Sequence, residues 1–204
     1  MIDGLDGLCG GICFIILCAL ACAVMISGGH ELVQPLFILI GAITAFLYYN
    51  YRHPARERAA LFLGDSGSTS MGLILSWFVI ELTQGSPTQA GLLNPALIAL
   101  VLSMPVFDAL SLFAYRLNRG RSPFSADRKH LHYLICDRGA SVESSVNMIH
   151  ALTLAYSIIG VVFITLLSVP AAYIMPVWGA LFCIHFAIIF GALKKTLRKI
   201  VEAY

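Results

Sequence analysis

Four places in the sequence combine residue types and spacing that could do chemistry. Asp3 and Asp6 stand three residues apart among Gly4, Gly7, Gly10 and Gly11. On a helix such a pair shares a face, and the glycines let a ligand come close to the backbone. These carboxylates serve either a reacting group or the cap of a helix. The run Leu61-Phe-Leu-Gly-Asp-Ser-Gly-Ser-Thr69 places Asp65 between glycines at a helix start. A carboxylate there can hold a metal ion, and the free N–H groups can face an anion; a cap with a tight turn is the alternative. The segment Arg116–Arg138 reads RLNRGRSPFSADRKHLHYLICDR. Its Arg121, Arg128 and Lys129, with His130 and His132, make an electropositive patch suited to phosphate, although topogenic charge accounts for Arg116, Arg119 and Arg121 equally well. The two imidazoles point the same way only in extended chain. On a helix they diverge by about 200°, so at most one then faces a site. Asp108 lies inside an apolar stretch, where a carboxylate is costly unless solvated or paired. It either faces the site or packs between helices.

The elements that position these residues are set by hydropathy. Of 204 residues 59% are hydrophobic and 12% charged, with a mean hydropathy of +0.85. Soluble domains run at about 45–50% apolar and about 25% charged. A soluble enzyme, a disordered module and a nucleic-acid binder are excluded, and no nucleic-acid partner is expected. Uncharged runs long enough to span a bilayer predict an all-α polytopic membrane bundle of about six helices, near 8–28, 36–51, 67–84, 94–116, 145–168 and 171–193. All thirteen Lys and Arg fall in the segments 52–58, 116–138 and 194–199. By the positive-inside rule both termini and the two long loops are cytoplasmic. Residues 1–193 are read as the bundle and 194–204 as a basic tail. There Leu193, Leu197, Ile200, Val201 and Tyr204 form an apolar stripe, so the tail is an amphipathic anchor on the inner leaflet. The start Met1-Ile-Asp lacks the basic region of a cleavable leader. Cys9 and Cys13 fall on the opposite side of the first helix from Cys18 and Cys22, which rules out one four-thiolate site. His150 and His185 are read as packing or interhelical hydrogen-bonding residues.

Three motifs, Met1-Ile-Asp-Gly-Leu-Asp-Gly-Leu8, Phe62-Leu-Gly-Asp-Ser-Gly-Ser68 and Ser122-Pro-Phe-Ser-Ala-Asp-Arg-Lys-His-Leu-His132, in this order and spacing, resemble the bacterial polyprenyl-phosphate N-acetylhexosamine-1-phosphate transferases. The likeness extends over essentially the whole chain, and Thr83-Gln-Gly85 favours the branch that uses N-acetylglucosamine. The resemblance implies transfer of a sugar 1-phosphate from a UDP-N-acetylhexosamine to undecaprenyl phosphate in the bacterial inner membrane. UMP is released, with Mg2+ or Mn2+ as cofactor, at the start of O-antigen and related surface polysaccharides. Two anions must then meet at the inner membrane face, and a metal with cationic side chains offsets their repulsion. By the same resemblance Asp65 is the metal ligand, and Asp3 and Asp6 belong to the nucleotide and catalytic pocket. Phe62 packs on the uracil, and His130, His132, Arg128 and the neighbouring bases Lys129 and Arg121 grip the diphosphate and sugar.

The sequence departs from the family in two respects. Tyr133 stands where the family has a further histidine, and the chain has no Asp-Asp pair, a motif that the family carries in an N-terminal half. The expected reading is therefore a C-terminal portion that depends on an N-terminal half or on association with other copies. Rival readings are an intramembrane serine protease using Ser66 and His185, and a non-catalytic membrane remnant. A transporter is disfavoured, because polar residues collect at one face instead of midmembrane. The purified 204-residue chain, without an added N-terminal half, is expected to release no UMP from a UDP-sugar. Measurable UMP in that assay would refute the expectation.

Overall fold

The computed structural model describes residues 4–52, 58–84, 91–125, 128–166 and 169–202, and among these it is helical with no strand. The first helix, α1 (Leu8–Ser27), is an uncharged, proline-free run, and glycines bound it on both sides. Gly7 and Gly28 both have positive φ, 79° and 81°. At the far end the Gly29 N–H reaches Val24 O and the Gly28 N–H reaches Met25 O. This is the glycine-terminated hydrogen-bond pattern that closes a helix end. Buried residues surround α1 on most sides, and its small residues let neighbours in closely. A Cβ at Gly10 would strike Phe46 and Leu47 of α2 (His30–Asn50), and one at Gly11 would strike the His150 ring of α7 (Val142–Val161). Thus α1 is the central post, with α2, α7 and α3 (Gly64–Thr83) packed around it.

The fourth predicted span is two helices. Asn94 caps α4 (Pro95–Val101) by accepting from the Ala96 N–H at 3.0 Å, with Pro95 in the first turn, a start that suits both residues. The chain then turns by 74° into α5 (Ser103–Asn118). Pro105 explains the break. It has no N–H to give Val101 O, and its ring clashes with that carbonyl in a continuous helix. In the last turn of α4, Ala99 O accepts both the Ser103 hydroxyl and the Trp178 indole N–H, each at 2.9 Å. The short α6 (Leu131–Cys136) follows, then α7, a π turn over Val162–Leu166, and α8 (Ala171–Glu202). Phe107 on α5 joins these elements, with ring centroids 5.0 Å from Trp178, 5.4 Å from Phe182, 5.6 Å from Tyr156 and 5.6 Å from His185.

The expectation of a polytopic helical bundle holds, with a different division into spans. Among the described residues four helices are long and apolar enough to cross a membrane, or five if the bent α4–α5 pair is one span. Although α3 has 20 residues, its first third, GDSGSTS, is polar, and it falls short of that apolarity. The second helix begins at His30, six residues before the predicted 36, with Pro35 inside it. The α8 backbone helix runs to Glu202 across the predicted boundary at 193/194. The side chains of 192–204 are outside those described, and the predicted apolar stripe of the tail falls among them. Outward faces carry Phe37, Ile38, Leu73, Ile80, Tyr173 and Ile184, all exposed, as a lipid-facing surface would.

Close approach of α7 to α4 rests on Gly160, where a Cβ would stand 3.1 Å from Leu100 Cβ and 3.4 Å from Leu97 O. Gly160→Leu is expected to destabilise the fold by about 1–3 kcal/mol through overpacking. Gly41→Ala, with open space around the added methyl, should stabilise α2 by roughly 0.5–1 kcal/mol. Unfolding in detergent measures both, and equal stability of the Gly160→Leu protein and the wild type would contradict the packing.

Candidate functional site

The three sequence motifs meet at the N-terminal end of α1. Gly7 N–H donates to the buried Asn50 Oδ1 at 2.9 Å, and Asn50 Nδ2 donates to Leu61 O at 2.6 Å. One amide side chain at the end of α2 therefore ties the first motif to the strand of chain that enters α3. Asp6 Oδ2 accepts from Arg52 Nε at 2.6 Å and from the Ala59 N–H at 3.3 Å. The cap reading of Asp6 fails, since Gly7 caps α1 with no side-chain bond. On the other side, a Cβ at Gly4 would meet His132 Nε2 and lie 3.2 Å from the Tyr133 hydroxyl. Only a glycine fits between the first motif and the histidine run. Asp3 lies outside the described residues.

The histidines correct a sequence expectation. His130 is extended, with φ −59° and ψ 152°, and α6 begins one residue later. The helix start falls between the two histidines, so the 200° divergence of a continuous helix does not apply. Their rings stack, with centroids 5.7 Å apart and planes 10° apart, and both are buried. His130 Nδ1 lies 2.7 Å from Asp108 Oδ2, and Asp108 Oδ1 accepts from the Leu131 N–H at 3.0 Å. Asp108 thus resolves its burial in both ways open to a carboxylate there: it packs between helices and it meets the site.

Among the described residues His132 has no such partner. Its Nε2 is buried without a hydrogen bond. Burial pushes its pKa down to about 4, against the opposing pull of the Asp108 carboxylate and with a further push from His130. Around the pair, Arg128 Cζ lies 4.8 Å from the Tyr133 ring centroid, and the Tyr133 and His132 rings are 4.2 Å apart. Such cation–π contact orients a guanidinium without neutralising it. Lys129 Nζ donates to the Tyr115 hydroxyl at 2.9 Å. Arg121 is exposed, its N–H bonded to Arg116 O. Arg116 is buried and bonds Pro123 O, so it braces the loop and is more than a topogenic charge.

Two predicted residues stand apart. Asp65 is exposed in the first turn of α3, and Phe62 is 75% exposed. Among the described residues no three His, Cys, Asp or Glu side chains gather closely enough to hold a metal ion. The described residues alone do not fit a complete metal site, and Asp65 offers it one carboxylate at most. One turn inward from Asp6 and Asp65, a largely apolar cleft of about 390 Å3 opens between α1 and α3, lined by Cys9, Ile12, Cys13, Ser68, Thr69 and Gly72 among others.

Sequence reasoning missed Asn50 and took Arg52 for topogenic charge alone. An asparagine closing the apolar run Phe46-Leu-Tyr-Tyr-Asn50 was the available signal. For the protease reading, His185 is packed against Phe107 while Ser66 is exposed at the start of α3. His150 bonds Leu8 O at 3.3 Å, in keeping with its interhelical reading.

Comparisons with known proteins point to one family. Residues 1–83 match the family model described as Glycosyl transferase family 4, and the chain belongs to that family. It is similar to the undecaprenyl-phosphate alpha-N-acetylglucosaminyl 1-phosphate transferase of Yersinia pestis, 30% identical over 97% of this chain and 52% of the relative. Proteins of the same name from Escherichia coli K12 and Salmonella typhi are 34% and 30% identical. They cover 68% and 87% of this chain, and 37% and 46% of the relatives' own length. The chain spans about half the length of the curated relatives it matches. No solved structure matches it significantly. The family assignment sets aside the protease reading.

The lowered His132 pKa has a consequence for stability. An unfolded histidine takes up its proton near 6.5, whereas the folded ring resists until about 4. The unfolded state therefore binds more protons between these values, and the contribution to stability is lost as pH falls from 6.5 toward 4. His132→Gln should flatten that slope in detergent unfolding. An unchanged slope, or an NMR titration of His132 near 6.5, would contradict the assignment.

Proposed function

We propose that this protein, together with an N-terminal half such as its longer relatives carry, transfers N-acetylglucosamine 1-phosphate from UDP-GlcNAc to undecaprenyl phosphate, releasing UMP at the cytoplasmic face of the bacterial inner membrane. The observation that carries the reading is the convergence of three distant motifs on one end of α1, through Asn50 and through the contact of Gly4 with His132. The names of the relatives add the acceptor and the sugar. The placement suits the chemistry. The reaction joins a membrane lipid to a water-soluble nucleotide, so its site belongs where an apolar cleft meets a basic loop. The cleft between α1 and α3 is a place for isoprene units, with the phosphate lying toward Asp6 and Asp65.

In this reading Arg128, Lys129 and Arg121 supply positive charge to the diphosphate, and Phe62 offers its exposed ring to the uracil. Asp6, braced by Arg52, and Asp3 belong to the catalytic pocket. Mg2+ or Mn2+ is taken to use Asp65, and it would supply Lewis-acid stabilisation of the phosphates when bound. The product would start O-antigen or related surface polysaccharides. Asp65→Asn and Ser66→Ala separate this function from a serine hydrolase when carried in the full-length form that the relatives represent. UMP release should fall at least a hundredfold with Asp65→Asn, on the order of the loss of a major electrostatic element, and change little with Ser66→Ala. The reverse pattern would overturn the transferase reading.

A further inference from the structure

The histidine pair contains an asymmetry that the reaction scheme above does not use. His130 and His132 stack on each other, yet among the described residues the carboxylate contact goes to His130, from Asp108 on a different helix. The same carboxylate holds the Leu131 N–H with its second oxygen. Both oxygens are therefore committed, and Asp108 and His130 are nearly inaccessible, with side chains 5% and 7% exposed. In neutral imidazole one ring nitrogen bears hydrogen and the other a lone pair, and the bond made by one nitrogen decides the state of the other. An ionised Asp108 only accepts. His130 must therefore carry its proton on Nδ1 when neutral, which leaves the lone pair on Nε2.

Resting on the transferase reading, we propose that Asp108 is a positioning residue for the transfer, holding His130 so that its Nε2 lone pair faces the reacting phosphates. The step balances without an added reagent. The monoanionic acceptor phosphate sheds its proton to Nε2 as its oxygen forms a bond to the sugar-bearing phosphorus of the donor. The bond from that phosphorus to the bridging oxygen breaks, and UMP leaves with the electron pair. The ring is then an imidazolium whose charge Asp108 balances from behind, and its Nε2–H is turned toward the new diphosphate as a charged donor, the stronger kind of hydrogen bond. His132 fills the space against Gly4 as the neighbour of the pair.

Asp108→Asn tests the role because it keeps the shape and reverses the hydrogen. Asn Oδ1 can still accept from the Leu131 N–H, so α6 keeps its start, while Nδ2–H must then donate to His130 Nδ1. The ring is forced to carry hydrogen on Nε2. Nitrogen NMR of the purified chain in nanodiscs should show Nδ1–H in the wild type and Nε2–H in Asp108→Asn. In the full-length form, kcat for UMP release should fall about tenfold or more with little change in KM. The same substitution should add nothing in a His130→Gln background. Asp108→Glu, which restores an acceptor, should recover part of the rate. Nδ1–H unchanged in Asp108→Asn would overturn the role, as would losses that multiply between Asp108→Asn and His130→Gln. Wild-type full-length protein that releases no UMP overturns the transferase reading itself, and with it this role. That result is told apart because it appears before any substitution.

Discussion

The site depends on one buried carboxylate. Asp108 sits in the apolar part of α5, where an unpaired charge is strongly unfavourable, and groups beyond that helix satisfy it. Its two oxygens take His130 Nδ1 and the Leu131 N–H, which anchors the histidine run and starts α6 in one stroke. Helix starts leave N–H groups without partners, and here a residue 23 positions away supplies one partner. The loop from Arg119 to Lys129 is thereby tethered at both ends, by α5 before it and by α6 after it.

That carboxylate is in turn delivered by the break in the fourth span. A straight helix over 95–118 would carry Asp108 along the line of α4. The 74° turn before Pro105 redirects α5, and Phe107 locks the new direction among Tyr156, Trp178 and Phe182. Trp178 also spans the break, since its indole N–H bonds a carbonyl in the last turn of α4. The proline, the aromatic cluster and the carboxylate are thus successive parts of one device that places His130 and His132 beside the start of α1.

Much of this was legible in the sequence. Uncharged runs and the segregation of basic residues predicted a polytopic bundle, because a bilayer imposes its own length and composition on any helix that crosses it. The motif residues Asp6, Asp65, His130 and His132 were legible because polar groups are scarce in such a chain. What escaped were pairings and directions. The second span starts six residues early because helix formation continues through Pro35, and α3 carries too many polar residues to read as a plain span. The stacking of His130 on His132 depends on a helix boundary between them. Boundaries are set by whichever group satisfies the first N–H, here Asp108 from another element.

The sequence by itself determined the medium, the class of fold and the inventory of reactive groups, since these follow from hydropathy, charge placement and local spacing. Only the tertiary structure decided which group faces which. Asp6 took Arg52 instead of its own helix end, Asn50 joined two motifs, and Asp108 chose His130 over His132. Apart from the Asn50 bond to Leu61 O, each is a contact between residues more than 20 positions apart. Local periodicity carries no information about such contacts, whereas the cost of burying an unpaired polar group makes each one obligatory once the helices pack.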